Sequence, residues 1–306
     1  MKAVFFGTPS IAVPALRALA QLAEVVGVVC QPDRPAGRGL ALQTPAVKQA
    51  ALELGLDVYQ PLKVRTGELT GWLLERQPDF ALVLAYGRIL PADVLNAPRR
   101  GCLNLHASLL PKYRGAAPIQ WAIFNGERET GFSLMQMDEG LDTGPVFSTA
   151  TLAIAPEETS GELTSRMADL AAEVVKNDLL RAVRGELSAV PQNAALATHA
   201  PPLTREHGLI DFSRSAQSVH DKVRALAPKP GAYCRVRGKT LTLRATRVVT
   251  GPSLRPGQVR VERPRILIGT ADGALELLRG QLEGKKELSA LELVNGRAIN
   301  DDDELS

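Results

Sequence analysis

Residues 1–30 read MKAVFFGTPSIAVPALRALAQLAEVVGVVC, and the fold turns on how they are parsed. Residues 2–6 (KAVFF) and 25–30 (VVGVVC) are short, nearly continuous apolar runs, the composition of strands covered on both faces of a parallel sheet. Between them, residues 10–22 carry apolar side chains at helical spacing. A strand, a helix and a second strand so closely joined predict a βαβ unit. The pattern then repeats. Residues 80–85 (FALVLA) and 102–105 (CLNL) predict further strands, and 45–54 and 67–76 predict helices. The expected architecture is a Rossmann-like, doubly wound α/β domain, interrupted at 31–39 (QPDRPAGRG) by a loop rich in Pro and Gly.

Further along, residues 131–137 and 146–154 predict two strands joined by a turn rich in Gly and Asp. A long helix follows over 160–184, with Thr159 or Ser160 as its cap. Residues 188–205 (SAVPQNAALATHAPPLTR) hold three prolines and no clear period, the pattern of a linker. After a short helix near 214–226, strand patterns over 231–280 predict a small antiparallel β-barrel. The expected domains are therefore 1–187 and 206–306, joined by 188–205.

The chain has 306 residues, 45% hydrophobic and 23% charged, within the ordinary range of folded globular proteins. No stretch approaches the roughly 18 uncharged apolar residues of a membrane span. The first apolar run is too short for a signal peptide and reads as a buried strand. Cys30, Cys102 and Cys234 are odd in number and form no C-x-x-C pair, which disfavours a disulfide framework or zinc site and suits a reducing cytoplasm. No self-complementary apolar seam is evident, so a monomer is expected.

The net charge of +3 is unevenly spread. Residues 1–204 hold 18 Lys and Arg against 20 Asp and Glu; residues 205–306 hold 18 against 13, and four of those 13 acids lie in the final DDDELS. A basic segment after a nearly neutral one fits either a polyanionic partner or a solubilising surface. The acidic end is expected to fray.

The GTP turn at 7–9 follows the first strand but is followed by neither G-x-G-x-x-G spacing nor a phosphate loop, so it reads as a strand-to-helix bend. Chemistry concentrates instead at 101–118, GCLNLHASLLPKYRGAAP. Asn104 and His106 stand two apart on a predicted strand, so both side chains leave the same face. The carboxyl end of a strand is where open α/β sheets place their ligand crevices. The alternative is a hydrogen-bonded core pair before a Pro-Gly loop. Asp142, within DEGLDTGP at 138–145, lies between Gly140 and Gly144, whose backbone freedom permits a carboxylate to enter a crevice. An ordinary turn residue is the other reading. Together the amide, imidazole and carboxylate suit acyl transfer without a nucleophilic Ser or Cys.

NLHASLLP at 104–111 resembles the N-x-H-x-S-L-L-P signature of the 10-formyltetrahydrofolate-dependent formyltransferases, and GLDTG at 140–144 resembles their downstream Asp loop. FFGTP (5–9), QPDRPAGRG (31–39), AYGRILP (85–91) and YRGAAPIQW (113–121) extend the resemblance through about residue 298. It implies a formyltransferase domain followed by an OB-like barrel. It implies 10-formyltetrahydrofolate as consumed co-substrate, no metal, and the α-amine of methionyl-initiator tRNA as acceptor. On these residues, Asn104 and protonated His106 are expected to donate to the oxyanion, each donor worth ~3–4 kcal/mol in comparable sites. Asp142 is expected to orient the imidazole, favour its protonated form and relay the amine's proton.

Leu84, Tyr86, Gly87, Ile89 and Leu90 are the implied folate slot, with Ser108, Leu109, Leu110 and Pro111 beside it; Ser108 is also readable as a shaper of its loop. For tRNA, the resemblance points to Arg34 and Arg38 in the 31–42 loop, where solvated arginines are the alternative. It also points to the basic barrel, with Arg235, Arg237 and Lys239 alongside Arg244 and Arg247. One segment departs from the family: 226–230 read LAPKP where an aromatic F-N-P-x-P type is common. Two rivals remain. A folate-dependent enzyme acting on a small amine, such as glycinamide ribonucleotide or an amino sugar, needs neither basic feature. A non-catalytic RNA-binding relative is expected to lack one of Asn104, His106 and Asp142.

Overall fold

The computed structural model describes residues 1–36 and 41–306. It divides into two compact units: residues 1–118, 130–152 and 164–201, and residues 119–129, 153–163 and 202–306.

The first unit is built on a seven-stranded sheet. Its strands are β1 (Lys2–Gly7), β2 (Glu24–Val29), β3 (Val58–Tyr59), β4 (Phe80–Leu84), β5 (Cys102–His106), β6 (Glu129–Gln136) and β7 (Val146–Ala153), in spatial order β7-β6-β5-β4-β1-β2-β3. β1 to β5 run parallel, and β6 joins β5 antiparallel. Ala3, Val4, Phe5 and Phe6 are fully buried, as a strand covered on both faces requires. The helix α1 (Val13–Leu22) turns Ala15, Leu16, Ala18 and Leu19 inward, with a proline in its first turn, where the missing N–H costs nothing. Gly27 of β2 lies beneath Trp72 of α3 (Glu68–Arg76; α2 is Ala46–Glu53); a Cβ there would come within 2.3 Å of the indole. Tyr59 stacks on the same indole at 5.1 Å and the Arg76 guanidinium lies 3.8 Å from its centre. Strand order reverses between β1 and β4, which makes their carboxyl ends the topological switch point of the sheet.

The helix predicted over 160–184 is interrupted. It runs as α-helix over Ser160–Val174, takes one π-helical turn over Val175–Leu179, and resumes over Leu180–Arg184. Thr159 caps it reciprocally with Glu162: the Thr159 N–H and hydroxyl both reach the carboxylate, at 2.9 and 2.7 Å. Periodicity alone does not register a single extra residue within a helix that stays amphipathic.

The second unit holds a six-stranded antiparallel sheet: β8 (Ala232–Val236), β9 (Lys239–Val249), β10 (Val259–Glu262), β11 (Arg265–Gly269), β12 (Ala274–Leu282) and β13 (Leu288–Ser289). The spatial order is β8-β9-β12-β11-β10, with β13 on β12. A helix over Ala216–Ala225, capped by Ser215, packs Val219 and Val223 onto the apolar face formed by Cys234, Leu241, Ile266 and Leu275.

The acidic terminus does not fray. Ser306 exchanges backbone hydrogen bonds with Arg235 of β8, while Leu305 donates to Gly257 and Val259 donates to Asp303, so the tail pairs with both edges of the sheet. Leu305 is 5% exposed, and Asp301, Asp303 and Glu304 form ion pairs with Arg260, Arg237 and Arg255. An open edge, one buried leucine and three arginine partners give these acids a place that composition does not reveal.

Cys30, Cys102 and Cys234 are buried free thiols. Burial pushes Cys30 up to about 11, against the opposing pull of Lys48, and Cys102 and Cys234 to about 12. Among the described residues, no helix is long and apolar enough to cross a membrane.

Candidate active site

β5 carries Asn104 and His106 to the sheet's carboxyl edge, where Asn104 pairs in register with Val83 of β4 and His106 with Ser133 of β6. Both side chains leave one face and both are buried, at 9% and 6% exposure. The Nδ2 of Asn104 donates to Asp142 Oδ1 at 3.4 Å, and His106 Nδ1 lies 3.6 Å from the same oxygen. The other ring nitrogen, Nε2, is 2.9 Å from the Tyr113 carbonyl. A carbonyl only accepts, so Nε2 carries a hydrogen; a second hydrogen on Nδ1 makes the ring a cation that faces the carboxylate.

Asp142 reaches this position by a route the sequence does not suggest. Gly140 and Gly144 are absent from the positive-φ positions, whereas Asp142 itself has φ +54°, a left-handed conformation that aspartate tolerates better than most residues. The glycines supply room instead. A Cβ on Gly144 would lie 1.9 Å from the Gln136 carbonyl, and one on Gly140 1.9 Å from Thr143 Oγ1. Asp138 folds the loop onto itself, accepting from Gly140 N at 3.1 Å and Thr143 Oγ1 at 2.7 Å. The second carboxylate oxygen of Asp142 accepts from the Gly115 N–H at 2.8 Å.

Two contributors to this framework escape a sequence reading. Gln192 lies in the segment read as linker, yet its Nε2 donates to the carbonyls of Asp142 (2.9 Å) and Gly144 (2.7 Å), and its Oε1 accepts from Arg114 Nε (3.1 Å) and Nη2 (2.7 Å). Residues 199–200 then pair parallel with 114–115, and Thr198 Oγ1 accepts from Tyr113 N at 2.9 Å. Proline content and lack of period describe this stretch correctly as irregular, but no local pattern marks its long-range partners. Ser133 is the other: it is fully buried and bridges the 108–111 loop, donating to the Ser108 carbonyl and accepting from Leu110 N.

Ser108 is also fully buried, its hydroxyl donating to the Lys112 carbonyl at 2.6 Å, so it is committed to the shape of its loop. Leu109 is half-buried, and Leu110 and Pro111 line a cleft of about 310 Å³ with residues 146–149 and 190–193. In the expected slot, the side chains of Leu84, Tyr86 and Leu90 turn into the core, while Gly87 and Ile89 are exposed, Ile89 at 65%. The segment therefore presents backbone and Ile89 outward. Thr8 of the GTP turn gives this loop its anchor: its hydroxyl donates to the Tyr86 carbonyl at 3.1 Å, joined there by Gln31 Nε2, whose amide oxygen in turn accepts from Arg88.

Of the expected RNA contacts, Arg34 lies exposed on a short hairpin strand (Arg34–Ala36), and Arg38 lies outside the described residues. Arg235 and Lys239 are exposed at one end of the β8–β9 hairpin, and neither forms an ion pair among the described residues. Arg237 is tied down between them: it donates to the carbonyls of Arg297 and Ala298 and pairs with Asp303 at 3.4 Å. Arg244 is likewise held, donating to the Pro228 carbonyl and Gln281, whereas Arg247 is exposed. In the divergent 226–230 segment, the Ala227 carbonyl accepts from Ser160 Oγ and Lys229 is exposed.

The family model described as formyl transferase matches residues 1–179, and that of the formyl transferase C-terminal domain matches 202–298. A methionyl-tRNA formyltransferase of Sorangium cellulosum (strain So ce56) is 54% identical over 98% of this chain and 97% of its own. One from Koribacter versatilis (strain Ellin345) is 47% identical over 99% of this chain and 97% of its own. Among solved structures, HypX from Aquifex aeolicus in complex with tetrahydrofolic acid aligns with a TM-score of 0.64 at 21% identity. That alignment covers 99% of this chain but 48% of HypX, so the chain spans about half of its length.

Proposed function

The chain belongs to the formyl transferase family, and from that premise we infer that it transfers the formyl group of 10-formyltetrahydrofolate to the α-amino group of methionyl-initiator tRNA. The observation that carries the reading is the convergence on Asp142 Oδ1 of an amide at 3.4 Å and an imidazole at 3.6 Å, at the carboxyl edge of a parallel sheet. The free amine attacks the formyl carbon, the carbonyl becomes a tetrahedral oxyanion, and collapse releases tetrahydrofolate as the amine's proton is passed on to N10 of the folate. Asn104 spends one Nδ2 hydrogen on Asp142 and has a second for the oxyanion. The 3.6 Å separation of His106 Nδ1 from Asp142 leaves that N–H able to turn toward the same charge, because catalytic hydrogen bonds tighten only when the reacting groups arrive. Asp142 receives the amine's proton directly or through water, and its bond from Gly115 keeps it aimed.

The family's folate chemistry is supported by the tetrahydrofolic acid complex of HypX. Here the exposed backbone at Gly87, with Ile89, is the proposed pterin contact, and residues 108–111 shape the adjoining wall. Arg34, Arg38, Arg235 and Lys239 are the proposed tRNA contacts, with a catalytic domain over 1–187, a linker over 188–205 and a tRNA-binding domain over 206–306. The proposed setting is a cytoplasmic monomer. The test supplies 10-formyltetrahydrofolate with methionyl-initiator tRNA, methionyl-elongator tRNA or glycinamide ribonucleotide as acceptor. Preference for the initiator is the expected result; transfer only to the small amine would keep the chemistry and remove the RNA reading.

A further inference from the structure

We infer that Gln192 is a positioning residue for formyl transfer, acting through Asp142; the inference rests on the formyl-transfer reading above. One carboxamide joins two loops that are far apart in sequence. On one side its Nε2 holds the carbonyls of Asp142 and Gly144, at 2.9 and 2.7 Å; on the other its Oε1 takes two hydrogen bonds from Arg114, at 3.1 and 2.7 Å. The next residue, Gly115, donates to Asp142 Oδ2 at 2.8 Å. Gln192 thus fixes both the backbone from which the Asp142 side chain leaves and the loop that supplies its hydrogen-bond donor. The amide has a single satisfying orientation, since a flip would set its oxygen against two carbonyls and its NH₂ against a guanidinium. The strap around it is latched independently, by backbone pairing of Val190 with Val146 and of residues 199–200 with 114–115. Gly115 lies so near that pairing that a Cβ would fall 2.6 Å from the Ala200 carbonyl. Losing the Gln192 amide therefore loosens the Asp142 loop while the strap itself stays in place.

The test compares the wild type with Gln192→Met, which keeps length but removes all four hydrogen bonds, and with Gln192→Glu, which keeps acceptors for Arg114 but faces two carbonyls with oxygen. Both are expected to lower kcat by about 10- to 100-fold, the cost of a carboxylate displaced by up to an ångström, with KM for both substrates within about twofold. In an Asp142→Asn background, Gln192→Met is expected to change kcat by less than about twofold, since residues acting through one group are not additive. Equal fold-losses in both backgrounds, a rise in KM in place of a fall in kcat, or an unchanged kcat would each overturn the inference. Should Gln192→Met fail to fold, Gln192→Asn, which keeps the amide but shortens its reach, takes its place with the same expectations. A wild-type chain that transfers no formyl group overturns the functional reading itself, an outcome distinct from any of these.

Discussion

The candidate active site and the exposed end of the β8–β9 hairpin in the second unit are organised on opposite principles. Asn104, His106 and Asp142 lie buried or nearly so, held by partners within a few ångströms, and the arrangement depends on individual bonds. Arg235 and Lys239 stand in solvent with no ion-pair partner among the described residues, and what they offer a polyanion is charge in number, with no fixed geometry. A low-dielectric site concentrates consequence in single groups; a solvated surface spreads it over many weak, screened ones. Large, non-additive losses belong to the first region and small, additive, salt-dependent ones to the second.

The sharpest break is sought at the centre. His106→Ala and Asp142→Asn are each expected to lower kcat by about 10³-fold or more while methionyl-tRNA affinity stays within about twofold. A comparable loss of affinity in a filter-binding titration would make these binding residues and erase the contrast. At the surface, Arg235→Ala with Lys239→Ala is expected to weaken tRNA binding by about tenfold at low salt. The same change should reduce the slope of log K against log salt by about 1 for each phosphate that is no longer neutralised. Arg237→Ala sharpens the comparison, because that guanidinium is already bound to two carbonyls and Asp303. Its loss is expected to lower the thermal midpoint by roughly 2–4 °C and leave the salt slope unchanged; a slope change equal to that of Arg235 would return it to the RNA-facing set.

The smallest effect is expected from the thiols. An unfolded cysteine ionises near pH ~8.5, whereas burial holds Cys30 to about 11 and Cys102 and Cys234 to about 12. The native state therefore binds more protons over that interval, so this contribution to stability is complete below pH ~8.5 and falls as pH rises through it. Native protein should resist a thiol reagent at about pH 8 and expose three reactive groups on denaturation. Rapid labelling of any one of them in the folded state would contradict the burial.

What can be read from the sequence follows from how far each signal reaches. The continuous apolar runs of β1, β2 and β4 and the two-residue spacing of Asn104 and His106 are local, and the sheet takes them up as expected. Asp142 is visible as a residue but not in its conformation: the glycines suggest backbone freedom, yet the aspartate itself is left-handed and the glycines make room for neighbouring oxygens. Gln192 and Ser133 are invisible because their roles are long-range hydrogen bonds with no periodic trace. The segment proposed as the folate slot is half legible. Its apolar residues stand out, but which of them face the core is decided by the turn after β4, where Ala85 has φ +51°. The acidic terminus misleads because its charge suggests repulsion, while the edges of a sheet and three arginines receive it.

The π turn at Val175–Leu179 gives this chain one place where its length is negotiable. Such a turn holds one residue more than the α-helix on either side requires. Removing a single residue from within it converts the stretch to uninterrupted α-helix and leaves the flanking side chains facing as they do now. The same deletion within Ser160–Val174 would swing everything beyond it by about 100°, taking Leu179, Ala182 and Val183 off the core. The segment thus carries a built-in site of tolerance to a one-residue deletion, in a helix where every other position is bound to its neighbours' phase.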